Sequence, residues 1–377
     1  MQVLGNLLRL RRSHGELTPG SGLAAGVIAL LLAVLCVLGV LAFHFPEYLS
    51  TPELRRGYEV DTLRRVMLIA LVVAGGLGLA NLALNRMRWL ACVALGLVGL
   101  ALLLGGHQVP VDPDFPDHTP YLGLDWFILD LLGSALFFIG VEKRFGLRRE
   151  QPVFREGWQT DADHFLVNHL VVGFILAATN LLVHRLFGWA AHDGLRAWVA
   201  SLDSWIALPL IILVADLVQY WTHRAYHEVP VLWRLHAVHH SVKHMDWLAG
   251  SRQHILELLM TRTLVLAPIF VMGFDKGVID AYIVVVGFQA VFNHANVDVR
   301  LGPLRHLVVT PNFHHWHHAQ DPEAIDRNYA AHFAFLDHLF GTAVKSDRKW
   351  PRQYGVVGDH VPEGYWQQLK YPFVRKE

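Results

Sequence analysis

Apolar residues run far enough to cross a bilayer eight times along this chain. The runs lie near 22–43, 66–84, 89–105, 122–141, 165–188, 197–221, 255–273 and 277–293. Each approaches or exceeds the ~18 residues that a helix needs to span hydrocarbon. The last two are joined by Phe274-Asp275-Lys276-Gly277, which predicts a tight hairpin. The polar stretches between runs hold no repeat, low-complexity segment or long linker. The pattern predicts an all-α fold, a polytopic membrane helical bundle. Its first run, from Gly22 to Phe43, is too long for the apolar core of a signal peptide and reads as an uncleaved anchor.

Charge between the runs sets an orientation. Arg9, Arg11 and Arg12 precede the first run, Arg86 and Arg88 follow the second, and Lys143, Arg144, Arg148, Arg149 and Arg155 follow the fourth. The loop after the third run carries Asp112, Asp114 and Asp117 and no Lys or Arg. Alternation from a cytoplasmic N-terminus fits, and it brings the exits of the sixth and eighth runs to the cytoplasmic side. The chain divides into an N-terminal membrane module of about four spans (1–150), a connecting segment with the fifth span (151–200), a region holding nearly all the informative residues (201–345), and a polar and aromatic tail (346–377).

Composition narrows the function. Of 377 residues, 53% are hydrophobic and 17% charged, and Lys+Arg and Asp+Glu are both 32. A net charge of zero argues against a nucleic-acid partner. Cys36 and Cys92 sit in separate apolar runs as small hydrophobes, with no disulfide, zinc or iron–sulfur spacing. The excess is in histidine, with 24 residues.

The histidines are patterned as well as numerous. His223 and His227 form HxxxH; His236, His239 and His240 form HxxHH; His314, His317 and His318 form a second HxxHH. Residues four apart share a helix face, so each box aims imidazoles together, while His239 lies on the flank beside His240. One HxxHH can thereby serve two ions. Imidazole is the commonest ligand for transition metals, and three such boxes beside membrane spans imply more than one metal ion in a helical cap. His254 opens the seventh span and His294 ends the eighth, adding two more rings. His244 and His315 read as supporting or solvated. Asp216, two turns before His223, is a carboxylate inside a span, fit to hold an imidazole N–H or to ligate directly. Pro230 separates the first two boxes, and Thr310-Pro311 predicts the start of a helix for the third. No HExxH is present, which removes the zincin protease reading.

From Asp216 to Thr342 these residues resemble the fatty acid hydroxylase / sterol desaturase superfamily of integral membrane di-iron oxygenases. Asp216, His223 and His227 look like its first box, His236, His239, His240 and Ser241 its second, and Pro311, His314, His317 and His318 its last. Arg252, His254 and Glu257 resemble the segment opening its next membrane hairpin, and Asn328-Tyr329 with Asp337 and Leu339-Phe340-Gly341-Thr342 its closing signature. The resemblance implies that 201–345 is the catalytic domain. It implies two iron ions on His223, His227, His236, His239, His240, His254, His294, His314, His317 and His318, with Asp216 and Asp337 as supporting carboxylates. It implies hydroxylation or desaturation of a lipid from the bilayer, consuming O2 and two electrons. The chain shows no haem, flavin or ferredoxin motif, so the electrons are expected from a separate cytochrome b5-, ferredoxin- or flavin-reductase-type partner. Two rival readings use the same imidazoles: a divalent metal transporter or sensor, and a di-zinc membrane hydrolase. Histidines gathered beyond the span ends, rather than along a path through them, disfavour transport.

Overall fold

A computed structural model describes residues 23–84, 88–111, 121–299, 301–344 and 349–374. Arg9, Arg11, Arg12, Arg86 and the aspartates of the third loop lie outside the described residues. Secondary structure among the described residues is helical, apart from isolated bridges between Gly146 and Val297 and between Ala319 and Tyr354. Eight helices among the described residues are long and apolar enough to cross a membrane. They cover Ala25–His44, Val60–Leu84, Arg88–Gln108, Leu124–Phe145, Val172–Ala190, Ser204–Glu228, Ile255–Met272 and Lys276–His294. The chain is a multi-pass membrane protein.

The chain separates into two compact units, Met1–Tyr121 and Leu122–Glu377. The first contains α1 (Leu23–His44), α2 (Val60–Leu84) and α3 (Arg88–Leu103). Its core follows helical stripes: Ala29, Ala33, Cys36 and Val40 on α1, Met67, Leu71 and Ala74 on α2, and Ala94, Val98 and Ala101 on α3. Small residues at these positions let the three backbones approach closely, which is how helices gain packing where lipid removes the hydrophobic drive. Cys36 is in this core, but Cys92 points outward, because it lies on the α3 face opposite that stripe.

The second unit begins with α4 (Leu124–Phe145), so the fourth span packs with the histidine-bearing helices. Then come α5 (Trp158–Leu170), α6 (Val172–Phe187), α7 (Asp193–Ala200) and α8 (Ser204–Glu228). The fifth apolar run is broken at Val171, whose ψ of 8° leaves the helical region, so the span proper is α6. The sixth span, α8, runs on through His223 and His227, so the first box is the last two turns of the span itself and not a segment beyond it. Pro230 at the first position of α9 (Pro230–His240) restarts the helix after Val229, since proline lacks the N–H that a helix start leaves unused. The hairpin of α10 (Ile255–Met272) and α11 (Lys276–His294) turns at Gly273, whose φ of +70° favours glycine, and Asp275 caps α11 through the Gly277 N–H at 2.8 Å. Ala207, Ile211, Ala215, Val265, Ile269 and Val278 form the apolar core between α8, α10 and α11. Three short helices complete the unit: α12 (Pro311–His317), α13 (Phe335–Phe340) and α14 (Tyr365–Lys370).

Candidate metal centre

The centre is built where α8 and α11 end, with α9 and α12 laid across them. Each element brings its imidazoles by the spacing of its box. The α12 helix starts on Thr310, whose hydroxyl accepts from the Phe313 N–H at 3.3 Å, with Pro311 at its first position. Nine ring nitrogens meet in two groups: His223, His227, His236, His240 and His317 in the first, and His239, His294, His314 and His318 in the second. Within each group the candidate ligand atoms all lie within 4.8 Å of one another. Each HxxHH is divided. His236 and His240 face the first group and His239 the second; His314 and His318 face the second and His317 the first.

Four of the outer ring nitrogens are held by backbone carbonyls. Nδ1 of His223 donates to the Tyr329 carbonyl at 2.6 Å, His239 to Arg252 at 3.0 Å, His294 to Ala290 at 2.8 Å, and His317 to Arg327 at 2.8 Å. A carbonyl can only accept, so in these four rings the proton sits on Nδ1 and Nε2 presents a bare lone pair. Yet Nε2 of His294 faces Nε2 of His239 at 3.3 Å, two lone pairs head to head. Nε2 of His223 lies 2.9 Å from Nε2 of His236, and Nε2 of His240 lies 2.9 Å from Nε2 of His317. In the His239–His294 and His223–His236 pairs both rings carry the proton on Nδ1, so neither contact can be a hydrogen bond, and a cation between them satisfies the facing lone pairs. The buried Nε2 of His227 has no partner in the protein, as a ligand atom would not. The donor set therefore fits two metal ions. Protonation is a poor substitute for metal here: burial, reinforced by neighbouring rings, pushes His236, His240, His314 and His318 well below the usual histidine range. That keeps them neutral, as ligands must be.

Carboxylates complete the surround, though not the ones the sequence suggested. Glu257 in the first turn of α10 accepts from His236 Nδ1 at 2.8 Å, and Asp326 faces His227 Nδ1 at 3.0 Å. Glu257 was legible as a carboxylate opening a span; Asp326 carried no signal. Asp216 touches no imidazole of either group. Its oxygens accept the backbone N–H groups of Ala331, His332 and Phe333 at 2.9, 3.1 and 2.6 Å. Asp337 likewise accepts from the N–H groups of Tyr329 and Ala330, both at 2.8 Å, and from the Thr342 hydroxyl at 2.6 Å. The segment 329–333 is buried at Tyr329 and Ala330 and half-buried beyond, without a strand partner for its donors, and two acceptor-only carboxylates supply what it lacks. Both aspartates thus fix the strip whose Tyr329 carbonyl orients His223.

His254 lies apart from both groups. It caps α10 by accepting the Leu256 N–H at 3.2 Å, and its Nε2 faces the Leu369 carbonyl at 3.0 Å, so neither nitrogen is directed at a group of rings. His315 turns to Tyr354 and Ala295, and His332 to Gln289.

Behind the second box lies a buried ionic network. Arg155 pairs with Asp246 at 2.8 Å and Asp161 at 2.5 Å, and Asp161 pairs with Arg252 at 2.5 Å. Arg252 is the residue whose carbonyl holds His239. Gly250 in the same turn sits against His294: a Cβ there would come within 2.8 Å of its Nδ1.

Comparison with known proteins agrees with this geometry. The sequence model described as fatty acid hydroxylase matches residues 208–342. An ornithine lipid hydroxylase of Rhizobium tropici is 33% identical over 177 residues, 46% of this chain and 53% of that protein. The alkylglycerol monooxygenase of Danio rerio is 27% identical over 205 residues, 51% of this chain and 45% of its own length. Methylsterol monooxygenase 1 of Rattus norvegicus is 23% identical over 224 residues, covering 58% of this chain and 74% of its own. The chain thus spans about half the length of the first two relatives. No solved structure matches. The segment 208–342, which contains all nine converging imidazoles, is the part of the chain that matches the fatty acid hydroxylase model.

Proposed function

We propose that this protein is a membrane-bound lipid hydroxylase that consumes O2 and two electrons. In the overall reaction a C–H bond of the lipid becomes C–OH, one oxygen atom enters the product, and the other leaves as water with two protons and two electrons. The facing lone pairs of the two histidine groups carry this reading. Two iron ions would be held by the five and the four imidazoles of these groups. When bound, they supply the oxidation of an unactivated C–H bond that no side chain can perform. The chain's part is position and charge. Glu257 and Asp326 offset the charge that neutral ligands leave, and the carbonyls of Tyr329, Arg252, Ala290 and Arg327 fix each ring's tautomer and angle.

The relatives' names favour hydroxylation over desaturation and an amphiphile with a long apolar part. Such a substrate reaches the centre from the bilayer along the ends of the spans. The cytoplasmic side is supported by Lys143, Arg144, Arg148 and Arg149 at the end of α4. There Glu142 accepts the N–H of Asn296, two residues past His294.

Protein purified from iron-supplemented cells should carry two irons per chain, and incubation of lipid extract with 18O2 and a reductant should place one 18O atom in a lipid hydroxyl. His239→Ala should lose both bound iron and labelled product. Stoichiometric zinc with no labelled lipid would support a hydrolase instead and end this reading.

A further inference from the structure

A file of side chains that the metal site does not use links the second histidine group to one face of the protein. His315 lies inside the third box but turns away from both groups. Its Nε2 faces the Ala295 carbonyl at 3.2 Å and its Nδ1 the Tyr354 hydroxyl at 2.9 Å. The carbonyl only accepts, so Nε2 carries the proton and Nδ1 accepts from the tyrosine. The ring thus meets the backbone beside His294 through Nε2, and His315 itself follows His314 in the chain. The Gly355 N–H donates to the carbonyl of a third member, His318, at 3.3 Å. Trp350 packs edge-on against the His315 ring at 5.1 Å between centres. Outward, the Arg148 guanidinium lies 4.9 Å over the Tyr354 ring, and its Nη2 donates to the carbonyls of Pro351 and Arg352 at 3.4 and 3.0 Å. Tyr354 is 3% exposed and His315 1%, so the file is sealed from water until it reaches the arginine.

The surface around that arginine is basic. Lys143 and Arg149 share a recess with Arg148, and Arg144, Lys349 and Arg352 are exposed on the same two segments. Against these six cations the neighbouring acidic residues are Glu142, which lines the same recess, Glu150 and Asp298. Electron tunnelling weakens with the gap between donor and acceptor, and rings in contact give a covered route across it. Anionic lipid headgroups would use the same cations but have no need of a buried aromatic file behind them.

We infer that this face receives an acidic one-electron carrier protein, and that Tyr354, His315 and Trp350 pass its electrons to the second histidine group. The inference rests on the hydroxylase reading. Each docking oxidises the carrier's redox centre by one electron and reduces the metal pair by one; two dockings supply the pair of electrons that hydroxylation consumes with O2 and two protons.

The test uses the full chain in nanodiscs of neutral lipid, with a plant-type [2Fe–2S] ferredoxin as probe. Ferredoxin should bind metal-free and iron-loaded protein alike. The double variant Arg144→Glu/Arg149→Glu should lower its association rate by about tenfold or more at low ionic strength, with the difference closing near 1 M salt. Tyr354→Phe keeps the ring and should keep ferredoxin binding, yet slow stopped-flow reduction of the loaded iron several-fold; Trp350→Leu should slow it too. Absent ferredoxin binding, binding indifferent to the charge reversal, or wild-type reduction rates in both aromatic variants would overturn the inference. So would unchanged ferredoxin binding with loss of co-purifying anionic phospholipid, which would make the face a headgroup site. Lipid oxidation driven by dithionite in the wild type separates the two readings: if it proceeds, those failures sink the docking alone, and if it is absent the hydroxylase reading falls as well.

Discussion

Single residues divide here by what their second polar atom does. Glu257 meets His236 through one oxygen, so Glu257→Gln keeps an acceptor but removes a carboxylate beside the proposed metal pair. Iron affinity should fall about 10–100-fold, read by competition with a chromogenic chelator, since losses of this size follow removal of outer carboxylates. Gly250→Ala should press on His294 and lower iron in the second group while sparing the first, visible as about half the wild-type metal content. Acidity should act on the metal-free protein in one direction. Burial pushes His315 down to about 3, whereas its unfolded value is near 6.5. The unfolded chain therefore takes up the proton first. Stability is whole above about pH 6.5 and falls as pH drops toward the folded value, by up to ~1.4 kcal/mol per unit for each such ring. Thermal midpoints of metal-free protein at pH 7.5 and 5.5 check this; equal midpoints would contradict it. Spacing alone made the ring positions of the boxes legible, because a helix face is a local property. It did not separate His254 from them, because a capping histidine and a ligand have the same neighbours in sequence and differ only in what arrives from residue 369. Asp216 and Asp337 were misread for the same reason, their partners being main-chain N–H groups far along the chain.

At the scale of elements, the helices follow from apolar periodicity, and their starts from proline and capping residues. Irregular strips do not announce themselves, and they do much of the orienting. Asp326 and Asn328 adopt left-handed φ values of 56° and 57°, and between and beyond them the carbonyls of Arg327 and Tyr329 turn toward His317 and His223. Asparagine tolerates that conformation better than most residues. The Asn328 side chain is also bonded at both ends, donating to the Phe313 carbonyl at 2.8 Å and accepting from the Val344 N–H at 2.7 Å. Asn328→Ala should destabilise by about 1–3 kcal/mol, measured by thermal unfolding in detergent, and should loosen His223 and His317 together. The break at Val171 was hidden because an apolar run continues through it; composition records what lipid tolerates and not where a helix turns.

For the whole molecule, the eight spans were legible to within a few residues at most ends because bilayer thickness sets one length for all of them. Orientation is open to direct measurement. In a background lacking Cys36 and Cys92, Arg149→Cys should react with an impermeant maleimide in inverted vesicles and resist it in right-side-out ones. The opposite result would put the histidine groups across the bilayer from the proposed side.

The tail has a consequence in time. Gln368 donates to Ser241, beside the second box, and accepts from His164, while Leu369 engages His254. A nascent chain halted before Tyr365 holds every converging imidazole and lacks this buttress. Mature iron loading should therefore wait until residues 365–370 have been made and folded back, and cells making the protein in excess of their iron supply should accumulate inserted, inactive chains that a later iron pulse rescues.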